Sequence, residues 1–204
     1  MSIVNKAPNN ITSIKSIVER IRSGDLTARE IVQDTQNLIA ECDGILQAWQ
    51  TLDWNTVHRN YEDLISKPNW RQLPLAAVPF AVKDIYDTAD FVTTYGSNIY
   101  KTHRPVADAG LVSVLRSLGA VVVGKTVTTE FAFWQAGPTV NPYDPVHTPG
   151  GSSSGSAAAV ATGMVPLALG SQTAASTIRP ASYCGIVGFK PSFGLLPLNG
   201  VKPL

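Results

Sequence analysis

Gly150-Gly-Ser-Ser-Ser-Gly-Ser156 opens the most informative stretch of this chain, and Gly170-Ser-Gln-Thr-Ala-Ala-Ser176, Ile178-Arg-Pro180 and Tyr183-Cys-Gly185 continue it. Residues this small let backbones approach closely, and an Ala-rich segment after Ser156 points to a tightly packed element. The letters of residues 151–155 also satisfy the GxSxG pattern of a nucleophile elbow, with Ser153 central. That elbow needs a strand before it, which Asp144-Pro-Val-His-Thr-Pro-Gly150 cannot form.

Working outward, Val165-Pro-Leu-Ala-Leu169, Ala77-Val-Pro-Phe-Ala-Val82 and Ala120-Val-Val-Val123 are short apolar runs that read as strands. A helix near 107–118 separates the last two, and strand, helix, strand predicts a partly parallel sheet. Residues 67–74 form a Pro-containing polar link. Before it, Ile14, Ile17, Val18 and Ile21 recur at helical spacing over residues 12–23, and Thr27-Ala-Arg-Glu30 is a capping box for a second helix from about Ala28. A third helix starts near Asp53. The chain therefore reads as one α/β domain over 1–204, a helical layer over 1–66 in front of an α/β core over 75–204.

Gly119-Ala-Val-Val-Val-Gly124-Lys125-Thr126 matches the phosphate-loop pattern GxxxxGK[ST]. A phosphate loop needs flexible backbone that curls its N–H groups around oxygens, whereas Ala120–Val123 is a β-branched run suited to a strand. A nucleotide site is therefore not expected.

The chain has 204 residues, 44% of them hydrophobic, enough for one sizeable core. Sixteen basic residues face fifteen acidic ones and are scattered, so no nucleic-acid surface is expected. Met1 to Asn10 lacks the charged start and apolar run of a secretory signal, and no apolar stretch is long enough for a bilayer, which predicts a cytosolic protein without membrane contact. Cys42 and Cys184 lie far apart without CxxC partners and read as buried thiols rather than a disulfide or metal site. His58, His103 and His147 offer no Ser-His-Asp arrangement.

The motifs from Gly150 to Gly185 resemble the amidase signature family. The resemblance extends through Leu26-Thr-Ala28, Val82-Lys-Asp84, Asp108-Ala-Gly, the 119–126 run, Glu130-Phe-Ala132 and Asn141-Pro142, covering nearly the whole chain. It implies a mixed twisted β-sheet flanked by helices and, position by position, Ser176 as nucleophile, Ser152 as bridging serine with a cis peptide bond, and Lys83 as base. An alcohol attacks a carbonyl only after a base takes its proton, and a lysine serves only when neutral. Lys83 follows the apolar run Phe80-Ala-Val82, where burial would lower its pKa.

On composition alone Ser153, Ser154 or Ser156 could stand beside Ser152 as a helix cap, and Lys83 could simply leave the sheet for water; the resemblance selects Ser152 and Lys83. It further implies an oxyanion hole from the backbone N–H groups of Thr173, Ala174, Ala175 and Ser176 at the start of a short helix. Gly150, Gly151, Ser153, Gly155, Gln172 and Arg179 would form the supporting loop, Arg179 as a tie. Two glycines are common in the family where Ala174 and Ala175 stand, and an acid is common at Gln172. The added methyl groups are expected to strain the backbone or narrow the hole, lowering or shifting activity.

The implied activity is hydrolysis of a small-molecule carboxamide through an acyl-enzyme, without metal or organic cofactor. The alternatives are the glutamine-hydrolysing component of a tRNA-dependent amidotransferase, or a non-catalytic module. Family members are longer, and the stop at Gly194-Leu-Leu-Pro-Leu-Asn-Gly-Val-Lys-Pro-Leu204 predicts a sheet incomplete at its C-terminal side. An open edge invites self-association, or cover by a missing C-terminal half.

Overall fold

A computed structural model describes residues 13–203. Met1 to Asn10, read above for a secretory signal, residue 12 at the expected start of the first helix, and Leu204 lie outside the described residues.

Capping chemistry sets the helices at the front of the chain. α1 (Ile14–Ser23) starts at Ser13, whose side chain accepts from the Ser16 N–H, and stops at Gly24 with φ 87°. α2 (Ala28–Leu46) carries the full capping box: the Glu30 N–H donates to Thr27 Oγ1 at 3.2 Å and the Thr27 N–H to Glu30 Oε2 at 2.8 Å. α3 (Trp54–Ile65) is capped by Asp53, which accepts from the N–H groups of Asn55 and Thr56.

Between α2 and α3 the expected helical layer contains a strand, β1 (Trp49–Leu52). Four residues are too few for a period-2 signal, and what holds β1 is pairing with residues more than 70 positions away, which no local pattern reveals.

Among the described residues the remaining strands and α-helices are β2 (Pro79–Lys83), α4 (Gly110–Ser117), β3 (Val121–Thr126), α5 (Ser154–Ala161), β4 (Leu167–Leu169) and α6 (Ile178–Tyr183). The sheet order is β1-β3-β2-β4, with β2 parallel to both β3 and β4 and β1 antiparallel to β3. The fold is thus α/β with a mixed four-stranded sheet flanked by helices. Within the 119–126 run, Val121–Thr126 is the buried strand β3, not a phosphate loop.

Side chains alternate across the sheet as the pleat requires. Phe80, Val82 and Val122 pack into the cluster made by α1, α3 and the first half of α2. Ala81 and Val123 face the opposite cluster, which holds Leu38, Ile39, Leu46, Met164, Val165 and Ala158 and Ala159 of α5. Lys83 lies two residues beyond Ala81, so β2 directs it to the α5 side, at the strand's C-terminal end. A Cβ at Gly155 would run into Ala48 O and Val127 N, so the small residues read from the sequence let α5 lie directly against the strands. Cys42 and Cys184 are buried, and neither forms a disulfide among the described residues. Among the described residues no helix is long and apolar enough to cross a membrane.

Candidate active site

Two lysines lie near the C-terminal ends of adjacent parallel strands, Lys83 last in β2 and Lys125 next to last in β3, and their surroundings differ. Lys125 Nζ forms an ion pair with Asp84 Oδ1 at 3.0 Å and donates to Tyr86 O at 2.8 Å, all of it without solvent exposure. Lys83, on the other face, meets no carboxylate among the described residues: its Nζ contacts Ser152 Oγ at 2.7 Å and Ser171 Oγ at 2.8 Å. Lys83 is fully buried. Desolvation without a compensating anion pushes its pKa from 10.5 down to about 7.

The geometry separates the four serines that composition could not. Only Ser152 meets Lys83. Ser153 N–H donates to Ser176 O at 3.2 Å, Ser154 Oγ donates to Val127 O at 3.3 Å, and Ser156 Oγ donates to Leu169 O at 2.8 Å while also bonding Thr126 Oγ1. Ser152 itself is held from both sides. Its peptide bond with Gly151 is cis, and its carbonyl accepts from the Thr129 N–H at 3.2 Å. Arg179 Nε and Nη2 both donate to Gly151 O, at 3.0 and 2.8 Å. Gly150 has φ 78°, and a Cβ there would stand 3.0 Å from Pro180 Cα.

Ser176 is buried and lies two residues before the first residue of α6, so it precedes the short helix rather than starting it. The Gln172 side chain explains the offset: its Oε1 accepts from the N–H groups of Thr177 and Ile178, at 3.0 and 2.9 Å. Among the described residues, the N–H groups of Thr173, Ala174, Ala175 and Ser176 have no acceptor, and no hydrogen bond joins the Ser176 hydroxyl to Ser152. Ala174 and Ala175 are not among the non-glycine residues of positive φ. The backbone strain expected of these alanines therefore does not arise, although their methyl groups still take up space.

Two neighbours were not singled out by the sequence. Ser171 is the second hydroxyl on Lys83, and Tyr86 donates from its hydroxyl to Gly170 O at 2.7 Å. The signal for both was positional: Val82 pairs with Leu169, so the residues after β4 fall beside the end of β2. Sites in open α/β sheets collect at this C-terminal end of the strands. His58, His103 and His147 take no part, and among the described residues no group of three or more His, Cys, Asp or Glu could hold a metal.

A family model described as Amidase matches residues 30–204. The AtzE component of 1-carboxybiuret hydrolase from Pseudomonas sp. (strain ADP) is 39% identical over 196 residues, covering 92% of this chain and 43% of that protein. The GatA-type component of Glutamyl-tRNA(Gln) amidotransferase from Carboxydothermus hydrogenoformans is 38% identical over 198 residues, covering 93% and 41%. The crystal structure of the native peptide amidase from Stenotrophomonas maltophilia superposes with a TM-score of 0.85 at 33% identity, covering 94% of this chain and 42% of that one. The chain thus spans about two-fifths of the length of the relatives it matches.

Proposed function

The chain belongs to the amidase family, and from that premise we propose that it carries a centre for carboxamide hydrolysis, with Ser176 as nucleophile, Ser152 as proton relay and Lys83 as base. The observation that carries this reading is the buried amine of Lys83, 2.7 Å from Ser152 Oγ. With a pKa near 7, a large share of Lys83 is neutral at neutral pH, so its nitrogen can accept a proton.

Ser152 passes its proton to Lys83 and takes that of Ser176, whose oxygen bonds to the substrate carbonyl carbon. Negative charge then develops on the carbonyl oxygen, where the four N–H groups of residues 173–176, left without protein acceptors, stabilise it. Collapse breaks the C–N bond, and the proton returns through Ser152 to the leaving ammonia or amine. Water repeats the sequence on the acyl-enzyme and releases the acid. The Arg179 fork on Gly151 O holds the relay serine in register. No metal or organic cofactor enters these steps.

A fluorophosphonate probe followed by mass spectrometry tests the assignment. Adduct is expected at Ser176, absent in Ser176→Ala and slowed by about 10²–10⁴-fold in Ser152→Ala and Lys83→Met. Labelling that persists at the parental rate in Lys83→Met removes the reading.

A second reading is supported by the relatives named as amidotransferase components: the same centre would release ammonia from glutamine for a partner. Turnover of free amides by the protein alone favours the amidase; ammonia release only with companion chains and charged tRNA favours the transferase. The exposed Val187, Phe189, Phe193 and Leu195 support cover by further polypeptide, and a centre left open there would be a weak catalyst or an inert module.

A further inference from the structure

Lys83 contacts two hydroxyls, and the proposed chemistry uses only one of them. A neutral amine has two hydrogens and one lone pair, and the relay works only when the lone pair faces the Ser152 hydroxyl. A flexible four-carbon stem does not supply that orientation. We infer that Ser171 is a positioning residue, whose hydroxyl takes an amine hydrogen of Lys83 and so turns the lone pair onto Ser152. This role rests on the reading of Lys83 as the base.

Ser171 is built into place. Tyr86, itself buried, clamps the preceding carbonyl at 2.7 Å. Ser153 Oγ bonds both the N–H and the C=O of Ser171, each at 3.3 Å. These ties, with the pairing of Leu169 to Val82, deliver the Ser171 hydroxyl to the end of β2. A serine hydroxyl accepts hydrogen bonds yet is too weak a base to keep the proton, so it orients the amine without competing for its task.

An acceptor stabilises ammonium more than amine, so Ser171 also holds the Lys83 titration higher than burial alone would leave it. Other ionisable groups on the surrounding elements are already committed or turned away. Asp84 and Lys125 pair with each other, Arg179 is on Gly151 O, the Tyr86 hydroxyl is on Gly170 O and Tyr183 is exposed. α5 and β4 carry no ionisable side chain.

The test uses the 204-residue chain with ¹³Cε-labelled lysine, the Lys83 resonance being assigned by its loss in Lys83→Met. In Ser171→Ala the Lys83 midpoint is expected to move down by about half a unit or more, and plateau labelling of Ser176 by the fluorophosphonate to fall about tenfold. Ser171→Thr, which keeps the hydroxyl, should restore both. An unchanged Lys83 midpoint in folded Ser171→Ala overturns the proposal, and the titration reads this whether or not the probe reacts. So does failure of folded Ser171→Thr to restore the midpoint. A silent Lys83→Met beside a Ser171→Ala variant that labels at the parental rate overturns it alone, whereas parental labelling in Lys83→Met removes the base reading beneath it.

Discussion

Lys83 Nζ stands 2.7 Å from Ser152 Oγ with no carboxylate among the described residues near enough to pair with it, while Lys125, one strand away, is paired with Asp84. The first lysine is thereby kept close to neutrality, and that has a consequence for stability as well as chemistry. Unfolded, Lys83 titrates at 10.5; folded, at about 7. Between these values the unfolded chain binds the extra proton, so stability climbs as pH rises from about 7 to 10.5, by up to about 1.4 kcal/mol per unit. Urea titrations across that window should show the climb, reduced in Lys83→Met, which should also be the more stable protein at pH 7. Labelling of Ser176 should rise through pH 7 and then level off.

The neighbouring pair gives the opposite result. Removing the Lys125 ammonium leaves Asp84 buried with, among the described residues, only the Thr94 backbone N–H and hydroxyl as donors. Lys125→Met is therefore expected to lose about 3–5 kcal/mol, measured by urea denaturation, whereas Lys125→Met with Asp84→Leu should recover much of the loss. A single variant as stable as the parent would show the pair to be dispensable.

Gln172 supplies a milder probe. Its Oε1 caps two N–H groups at the start of α6, the work a carboxylate does better. Gln172→Glu should add about 0.5–1 kcal/mol near neutral pH, a gain lost as pH falls through the carboxyl's titration. Gln172→Ala should cost about 1 kcal/mol. Thermal melts at pH 7 and pH 4 distinguish these outcomes.

The parts of the fold legible in the sequence were those with local signals. The Thr27–Glu30 box fixed a helix start, and the β-branched run 120–123 was enough to deny the phosphate-loop motif. β1 was missed because its stability comes from β3, and Ser171 because its role exists only where β4 lies beside β2. The assignment of Ser152 over its neighbours required a resemblance, since four near-adjacent serines look alike until the chain is folded. The Gln172 cap, which delays α6 until Ile178, is likewise a contact across five and six residues that no period encodes.

The apolar segment after α6 leads to a prediction about association. Val187 is 94%, Phe189 78% and Phe193 92% exposed. Exposure on this scale is uncommon for a solitary soluble surface, so the chain alone should associate with rising concentration. Sedimentation velocity should resolve this, with Val187→Glu/Phe193→Glu shifting the population to monomer. A parent chain monomeric at high concentration would show the segment to be tolerated in water.

Ala174 and Ala175 test how far a family comparison carries. If the two methyl groups strained the hole, restoring glycine would speed reaction at Ser176. Neither residue has the positive φ that only glycine adopts freely, so there is no such strain to relieve. Glycine would instead widen the unfolded ensemble, at about 0.4–1 kcal/mol for each position. Ala174→Gly/Ala175→Gly is therefore expected to be less stable by urea denaturation and no faster in fluorophosphonate labelling. A faster double variant would mean that the methyl groups obstruct the incoming carbonyl through the space they fill, not through the backbone they sit on.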